Sequence, residues 1–176
     1  MHIIQVFSPL LVASQGAIVQ IGSITAFTPY VYGAVYNASK AALHAYSNTL
    51  RIELEPFGVK VITVVTGGVQ SRIARGWGDL PKGSLYWPAV DGYRRRVTHS
   101  QEGAMATDVY AKRVVARVLG LNNWTSWLLM RSKRFIWAGN RVWFIWFWHK
   151  FLWESLMDAI MTKMFGLARL RREKVA

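Results

Sequence analysis

Three polar side chains in the first quarter of the chain have the types and the spacing that proton transfer needs. Tyr36 and Lys40 are four residues apart in the run YNASK, and Ser23 precedes Tyr36 by thirteen residues. Residues four apart on a helix share a face, so we expect the Lys40 ammonium one turn from the Tyr36 phenol. A nearby cation favours a phenolate, which lets such a tyrosine exchange a proton with a carbonyl oxygen near neutral pH.

The apolar pattern around these side chains predicts a strand, a helix and a second strand. Ala17–Ile21 is a short apolar run, so Ser23 would follow the carboxyl end of a strand and hydrogen-bond the same carbonyl oxygen. Residues 36–55 are predicted to form a helix that the following Pro-Phe-Gly sequence ends. Val59–Val65 is almost entirely β-branched, which is typical of a parallel strand covered on both faces. These elements form one right-handed βαβ unit.

In these residues the chain resembles the short-chain dehydrogenase/reductase family, whose serine, tyrosine and lysine have the same spacing. The resemblance implies that Ser23, Tyr36 and Lys40 are catalytic and that Tyr36 and Lys40 also contact the cofactor. The expected fold class is α/β, the C-terminal half of a doubly wound, Rossmann-type parallel sheet. No side chain supplies a hydride, so a nicotinamide cofactor must do so. We expect NADP(H), with NAD(H) as the alternative.

The segment after the second predicted strand is a second candidate site. It reads Thr66-Gly67-Gly68-Val69-Gln70-Ser71. The resemblance assigns Thr66 to Val69 and Ser71 to cofactor binding, although the family usually has proline at the position of Thr66 and threonine at that of Ser71. A plain glycine turn is the alternative. The Thr-Gly-Gly-Val form is similar to a fungal branch of the family that reduces 1-acyldihydroxyacetone phosphate.

Residues 72–106 form a long stretch with many glycines, prolines and arginines. In the resembled family this region is a mobile lid over the substrate. Arg72 and Arg75 are therefore candidates for binding a substrate phosphate through paired hydrogen bonds, as is the run Arg94–Arg96. Solvated surface and contact with lipid headgroups are the alternatives. No metal site is expected, because the chain has no cysteine and its four histidines lack ligand spacing.

Two helices and a third strand complete the predicted domain, which spans residues 1–134. Residues 2–13 read as the end of an apolar helix, and Thr107–Leu119 reads as a helix with an apolar side. Trp127–Met130 is predicted to be a last short strand.

Residues 135–176 are predicted to associate with a membrane surface. The chain has a net charge of +13, and seven of its nine tryptophans lie between Trp124 and Trp153. Val142–Ile160 is expected to form one aromatic amphipathic helix with three charges in a narrow stripe, which favours lying in the headgroup plane over spanning. Nucleic-acid binding is not expected, since it would need many cations on the aromatic face. A helix that packs on the domain core is the alternative.

Several family motifs are absent from the sequence. There is no Gly-rich TGxxxGxG turn and no NNAG segment, so we expect an incomplete domain without its cofactor-binding N-terminal half. The expected function is NADP(H)-dependent reduction of a lipid ketone, an acyldihydroxyacetone phosphate by resemblance. The expected place is the cytosolic face of the endoplasmic reticulum membrane or a lipid droplet. A catalytically inactive membrane-binding fragment or a partner subunit is the alternative, and the sequence is compatible with a homo-oligomer.

Overall fold

A three-stranded parallel sheet lies at the centre of the computed structural model, which describes residues 2–73, 78–120, 134–151 and 153–172. The strands are β1 (Ala17–Ile21), β2 (Lys60–Thr66) and β3 (Phe135–Ala138), in the spatial order β1-β2-β3. The central strand β2 is buried over residues 61–65, as its β-branched run predicts. The α/β class with a parallel sheet is therefore confirmed.

Helices cover both faces of this sheet. Their bounds are α1 His2–Ala13, α2 Ala34–Leu54, α3 Val90–His99, α4 Thr107–Val118, α5 Val142–Phe151, α6 Glu154–Met164 and α7 Ala168–Arg172. Short 3₁₀ turns occupy Ile24–Ala26, Glu55–Phe57 and Trp87–Ala89. Side chains alternate along a strand, so Ile62 and Val64 of β2 pack towards α4 while Val61 packs towards α1 and α2.

The strand β3 lies further along the chain than the sequence predicts. The predicted strand Trp127–Met130 falls outside the described residues, and β3 begins at Phe135. Its first residue pairs with Thr63 of β2, and Ile136 and Ala138 are buried. The first four residues of the segment 135–176 therefore belong to the sheet.

The C-terminal segment forms two helices where the sequence predicts one. The chain is extended at Trp153 (φ −73°, ψ 140°), which separates α5 from α6. Lys150 and Asp158 consequently lie on different helices, and the expected continuous charged stripe does not form. The break lets both helices place apolar residues in one core cluster, where Ile145 meets Met157. Among the described residues, no helix is long and apolar enough to cross a membrane.

Helix α3 touches the end of α6 at a position that only glycine can occupy. A Cβ built on Gly92 would lie 1.9 Å from the carbonyl oxygen of Phe165. Phe165 is fully buried, and its carbonyl oxygen also accepts a hydrogen bond of 3.0 Å from the Tyr32 hydroxyl. The helix α3 and the C-terminal helices are thus in direct backbone contact.

Candidate active site

A cavity of about 570 Å³ lies at the carboxyl ends of β1 and β2, where parallel sheets bind their ligands. It is lined by eight of the residues that the sequence singles out. They are Ser23, Tyr36, Lys40, Thr66, Gly67, Gly68, Val69 and Ser71. The structure thus brings the catalytic candidates from β1 and α2 to the same cavity as the candidate cofactor segment after β2.

Ser23 lies two residues after the end of β1 and is held by hydrogen bonds to two residues, His44 and Thr25. Its backbone N–H donates to His44 Nε2 at 3.2 Å. Its hydroxyl oxygen accepts hydrogen bonds from the Thr25 backbone N–H at 3.2 Å and from Thr25 Oγ1 at 3.0 Å. Because these bonds use the oxygen as acceptor, the hydroxyl hydrogen of Ser23 can be donated to a ligand.

Tyr36 and Lys40 lie one turn apart near the start of α2, as their spacing predicts. The Lys40 Nζ atom is 5.8 Å from the centre of the Tyr36 ring. It donates a hydrogen bond of 3.0 Å to the carbonyl oxygen of Ile21, the last residue of β1. This anchor, which the sequence analysis did not predict, fixes the ammonium between the phenol and the end of the strand.

His44 supports the site by accepting a hydrogen bond from the Ser23 backbone, a role that the sequence does not indicate for any of the four histidines. It is buried, and burial together with the nearby Lys40 charge lowers its pKa from 6.5 to about 4. The ring is therefore neutral at physiological pH and can accept the Ser23 N–H. A Cβ at Gly22 would lie only 2.0 Å from His44 Nε2, so this contact also requires glycine before Ser23. The available signal was its position one helical turn beyond Lys40.

The two glycines after β2 have a packing role that the sequence did not show. The backbone N–H of Gly67 donates to the Ala138 carbonyl at 2.9 Å, and that of Gly68 donates to the Asn140 carbonyl at 3.1 Å. A Cβ on Gly67 would lie 2.0 Å from the Asn140 carbonyl oxygen. Close approach of the loop after β3 is thus one reason for glycine here.

The polar groups on this wall fit the nicotinamide and ribose end of a dinucleotide. Lys40, Tyr36 and Ser71 present an ammonium and two hydroxyls, which suit ribose hydroxyls and a carboxamide. Ser71 is positioned by its backbone N–H, which donates to Gln101 Oε1 at 2.9 Å. The Thr66 hydroxyl is bonded at 2.7 Å to the hydroxyl of Tyr110, so it shapes the wall together with α4.

Of the arginines that the sequence singles out as candidates, only Arg96 lines the cavity within the part of the chain that the structure describes. Arg72 is exposed and lies outside the set of residues that line the cavity, and Arg75 lies outside the described residues. Arg96 on α3 and Arg141 before α5 both line it. Arg96 is 7% exposed, and its guanidinium carbon lies 3.9 Å from the centre of the Tyr30 ring.

Known proteins resemble this chain over nearly its whole length. A family profile described as short chain dehydrogenase matches residues 1–80. Short-chain dehydrogenase fogD of Aspergillus ruber is 37% identical over 173 residues, which covers 97% of this chain and 57% of that protein. The NADPH-dependent 1-acyldihydroxyacetone phosphate reductase of Schizosaccharomyces pombe is 38% identical over 127 residues, covering 67% of this chain and 42% of that protein.

The fold has a counterpart among solved structures. A short-chain dehydrogenase from Streptomyces avermitilis matches with a TM-score of 0.57 at 20% identity, over 94% of this chain and 56% of that one. The chain spans 57% of the length of its Aspergillus ruber relative. Identity at this level extends far beyond the Ser23, Tyr36 and Lys40 motif, and the chain belongs to the short-chain dehydrogenase/reductase family.

Proposed function

We propose that this chain carries the catalytic residues of an NADP(H)-dependent reductase that acts on a lipid ketone at a membrane or lipid-droplet surface. The observation that carries the proposal is that Ser23, Tyr36 and Lys40 line one cavity whose other lining includes apolar side chains of α5 and α6. Similarity to the NADPH-dependent 1-acyldihydroxyacetone phosphate reductase of Schizosaccharomyces pombe supports an acyldihydroxyacetone phosphate as the substrate and NADPH as the cofactor.

The side chains have complementary parts in the proposed reaction. Ser23 donates its hydroxyl hydrogen to the substrate carbonyl oxygen and holds that oxygen in place, because its own oxygen is occupied by Thr25. Tyr36 gives its proton to the same oxygen as the carbonyl is reduced. Lys40, anchored on the Ile21 carbonyl, stabilises the phenolate that remains.

The nicotinamide end of the cofactor would be held by Lys40, Tyr36 and Ser71, and the bound cofactor supplies the hydride. Lys40 has one N–H on Ile21, so its remaining N–H groups can reach a ribose hydroxyl. Ser71 is held by Gln101 at the side of the cavity that the segment after β2 forms.

An aromatic outer surface on α5, together with Trp153 just before α6, supports the proposed membrane location. Trp143 and Trp153 are 73% and 83% exposed, and Phe147 and Phe151 are also exposed. Indole and phenyl rings partition into the headgroup region. The segment also carries an excess of lysine and arginine, which favours an anionic lipid surface such as a cytosolic leaflet.

Turnover by a Tyr36→Phe variant tests the reductase proposal. The assay uses a chimera that joins this chain to the N-terminal part of the Aspergillus ruber relative, with an acyldihydroxyacetone phosphate and either NADPH or NADH. We expect the variant to lose ketone reduction and keep its cofactor affinity, because only the proton donor is removed. The exposed Tyr86→Phe is the matched control and should turn over normally.

Appreciable turnover by the Tyr36→Phe chimera between about pH 6 and 9 would contradict the mechanism. If the chimera with Tyr36 intact binds vesicles but reduces no ketone with either cofactor, that result supports the alternative, an inactive membrane-binding fragment.

A further inference from the structure

Four side chains in the wall of the cavity form a connected group, here called the Tyr30 cluster: Tyr30, Arg96, His99 and Arg141. The Tyr30 hydroxyl lies 2.8 Å from His99 Nδ1, and Arg141 Nη1 lies 2.7 Å from His99 Nε2. The Arg96 guanidinium stacks on the Tyr30 ring. None of these residues has a part in the proton transfer described above.

The chemistry of arginine fixes the direction of these hydrogen bonds. A guanidinium only donates, so His99 Nε2 must accept from Arg141 and the ring proton must be on Nδ1. That N–H then donates to the Tyr30 oxygen, which leaves the hydroxyl hydrogen of Tyr30 outside this bond. Burial and the Arg141 charge lower the pKa of His99, which is consistent with a neutral ring. Tyr30 is therefore set to donate towards the cavity.

The charges around the cavity favour an anion. Among the described residues that line it, Lys40, Arg96 and Arg141 are cationic and Glu102 is acidic. Arg96 is almost fully buried, and burial lowers its pKa. An oxyanion beside a desolvated guanidinium offsets part of its desolvation penalty and forms charge-assisted hydrogen bonds.

The other end of the same cavity is apolar. The lining there includes Ile145 of α5 and four residues of α6, namely Met157, Ile160, Met161 and Met164. Methionine side chains are unbranched and adaptable, so they suit a flexible hydrocarbon chain. One cavity thus combines a cationic group of hydrogen-bond donors with a wall of thioether and aliphatic side chains.

We propose that this cavity is the binding site of an amphiphilic phosphate monoester, with the phosphate on the Tyr30 cluster and the hydrocarbon chain along the α6 methionines. Two guanidiniums and a hydroxyl donor match the three acceptor oxygens of a phosphate better than the two of a carboxylate. The identification of this ligand as the substrate rests on the proposed reductase function. The phosphate site is then at Arg96 and Arg141 and not at Arg72.

Binding of decyl phosphate, with decanol and decanoate as comparators, tests the proposal without any turnover. The readout is the intrinsic fluorescence of the tryptophans on titration of the 176-residue chain below the micelle concentration of the probe. We expect decyl phosphate to bind most tightly. Arg141→Gln should weaken the binding of decyl phosphate about ten-fold, since one charge-assisted contact is lost. The binding of decanol should not change. The matched control is Arg113→Gln, an exposed arginine outside the cavity lining, which should change neither.

Three further results decide between the alternatives. His99→Gln should weaken the binding of decyl phosphate, because Tyr30 loses the partner that orients its hydroxyl. The circular dichroism spectrum of the variant should stay unchanged. If ADP binds as tightly as decyl phosphate and the two compete for the chain, the cluster binds the cofactor pyrophosphate and the proposal is wrong. Equal affinity of the Arg141→Gln variant and the unmodified chain for decyl phosphate would also overturn it. Binding of decyl phosphate is measured without cofactor or turnover, so failure of the phosphate site and failure of the reductase mechanism give different results.

Discussion

The position of Ser23 depends on His44, which contacts the Ser23 backbone and is not among the described residues that line the cavity. His44 accepts the Ser23 N–H at 3.2 Å only while its Nε2 atom is unprotonated. Its burial behind Gly22 keeps the ring neutral over most of the pH range. We infer that His44 is a positioning residue for Ser23.

The stability of the chain should fall in acid because of His44. Its pKa is about 4 in the folded state against an ordinary value of 6.5, so the unfolded state binds more protons between these values. Stability is complete above pH 6.5 and is lost as the pH falls towards 4, by about 3 kcal/mol from this group. His44→Gln keeps an acceptor and does not titrate, so urea unfolding of the variant should show a smaller loss between pH 7 and 4. An identical loss in both proteins would exclude His44 as the origin.

A methyl group at Gly22 should disturb the same contact. The new Cβ would lie 2.0 Å from His44 Nε2, so the ring must move away from Ser23. We expect Gly22→Ala to lower the free energy of unfolding by about 1–3 kcal/mol, as overpacking does. Gly83→Ala is the control, since a Cβ there meets nothing within 4 Å. Urea denaturation of both variants measures the difference, and equal stabilities would contradict the packing described.

Among the site residues, the sequence could predict those whose relative positions follow from short spacings along the chain. Tyr36 and Lys40 are one turn apart on one helix, and Ser23 follows a strand that its apolar run reveals. The Tyr30 cluster joins residues 69 and 42 positions apart, so only the folded chain brings them together. The sequence could not predict that Arg72 is exposed and Arg96 is buried, because both lie in one stretch that contains many arginines.

The elements show the same division between local and distant causes. Strand β1 and helix α1 have the predicted bounds, and α2 begins at Ala34, two residues before the predicted start. The break at Trp153 has no proline or glycine to mark it, because it arises from packing of α5 and α6 on one core. Strand β3 is only four residues long and pairs with the distant strand β2, so its position was hard to predict from its own sequence.

The outer surface of α5 should govern binding to lipid. Trp143→Gln with Trp153→Gln removes two exposed indoles that contact no core residue cluster. Each buried indole is worth a few kcal/mol, so partition onto vesicles containing anionic lipid should fall by at least about ten-fold. Leu85→Gln is the matched control at an exposed apolar residue elsewhere and should partition like the unmodified chain. Unchanged flotation of the double variant would contradict the assignment.

At the scale of the whole chain, the 176 residues contain the sequence motifs for one end of a dinucleotide site. Lys40, Tyr36 and Ser71 are the residues proposed to hold the nicotinamide end, whereas the glycine-rich turn that binds a pyrophosphate does not occur among the 176 residues. We therefore expect the 176-residue chain to bind NADPH and NADH more weakly than micromolar and to reduce no ketone at a useful rate. Isothermal titration measures this, with the chimera as the positive control. Micromolar binding by the chain alone would show that the pyrophosphate contacts are dispensable.

The contact between Gly92 and Phe165 joins two helices that both line the cavity. Helix α3 carries Arg96 and His99, α6 carries the methionines, and their backbones touch where no side chain fits between them. We therefore expect the two helices to shift together if the cavity widens. Helix α5 is packed into the same cluster as α6. If the outer surface of α5 rests on a lipid layer as proposed, adsorption and opening become one event. The rate of such an enzyme follows the mole fraction of substrate in the lipid layer, so diluting the substrate with inert lipid slows it even when the bulk concentration is held constant.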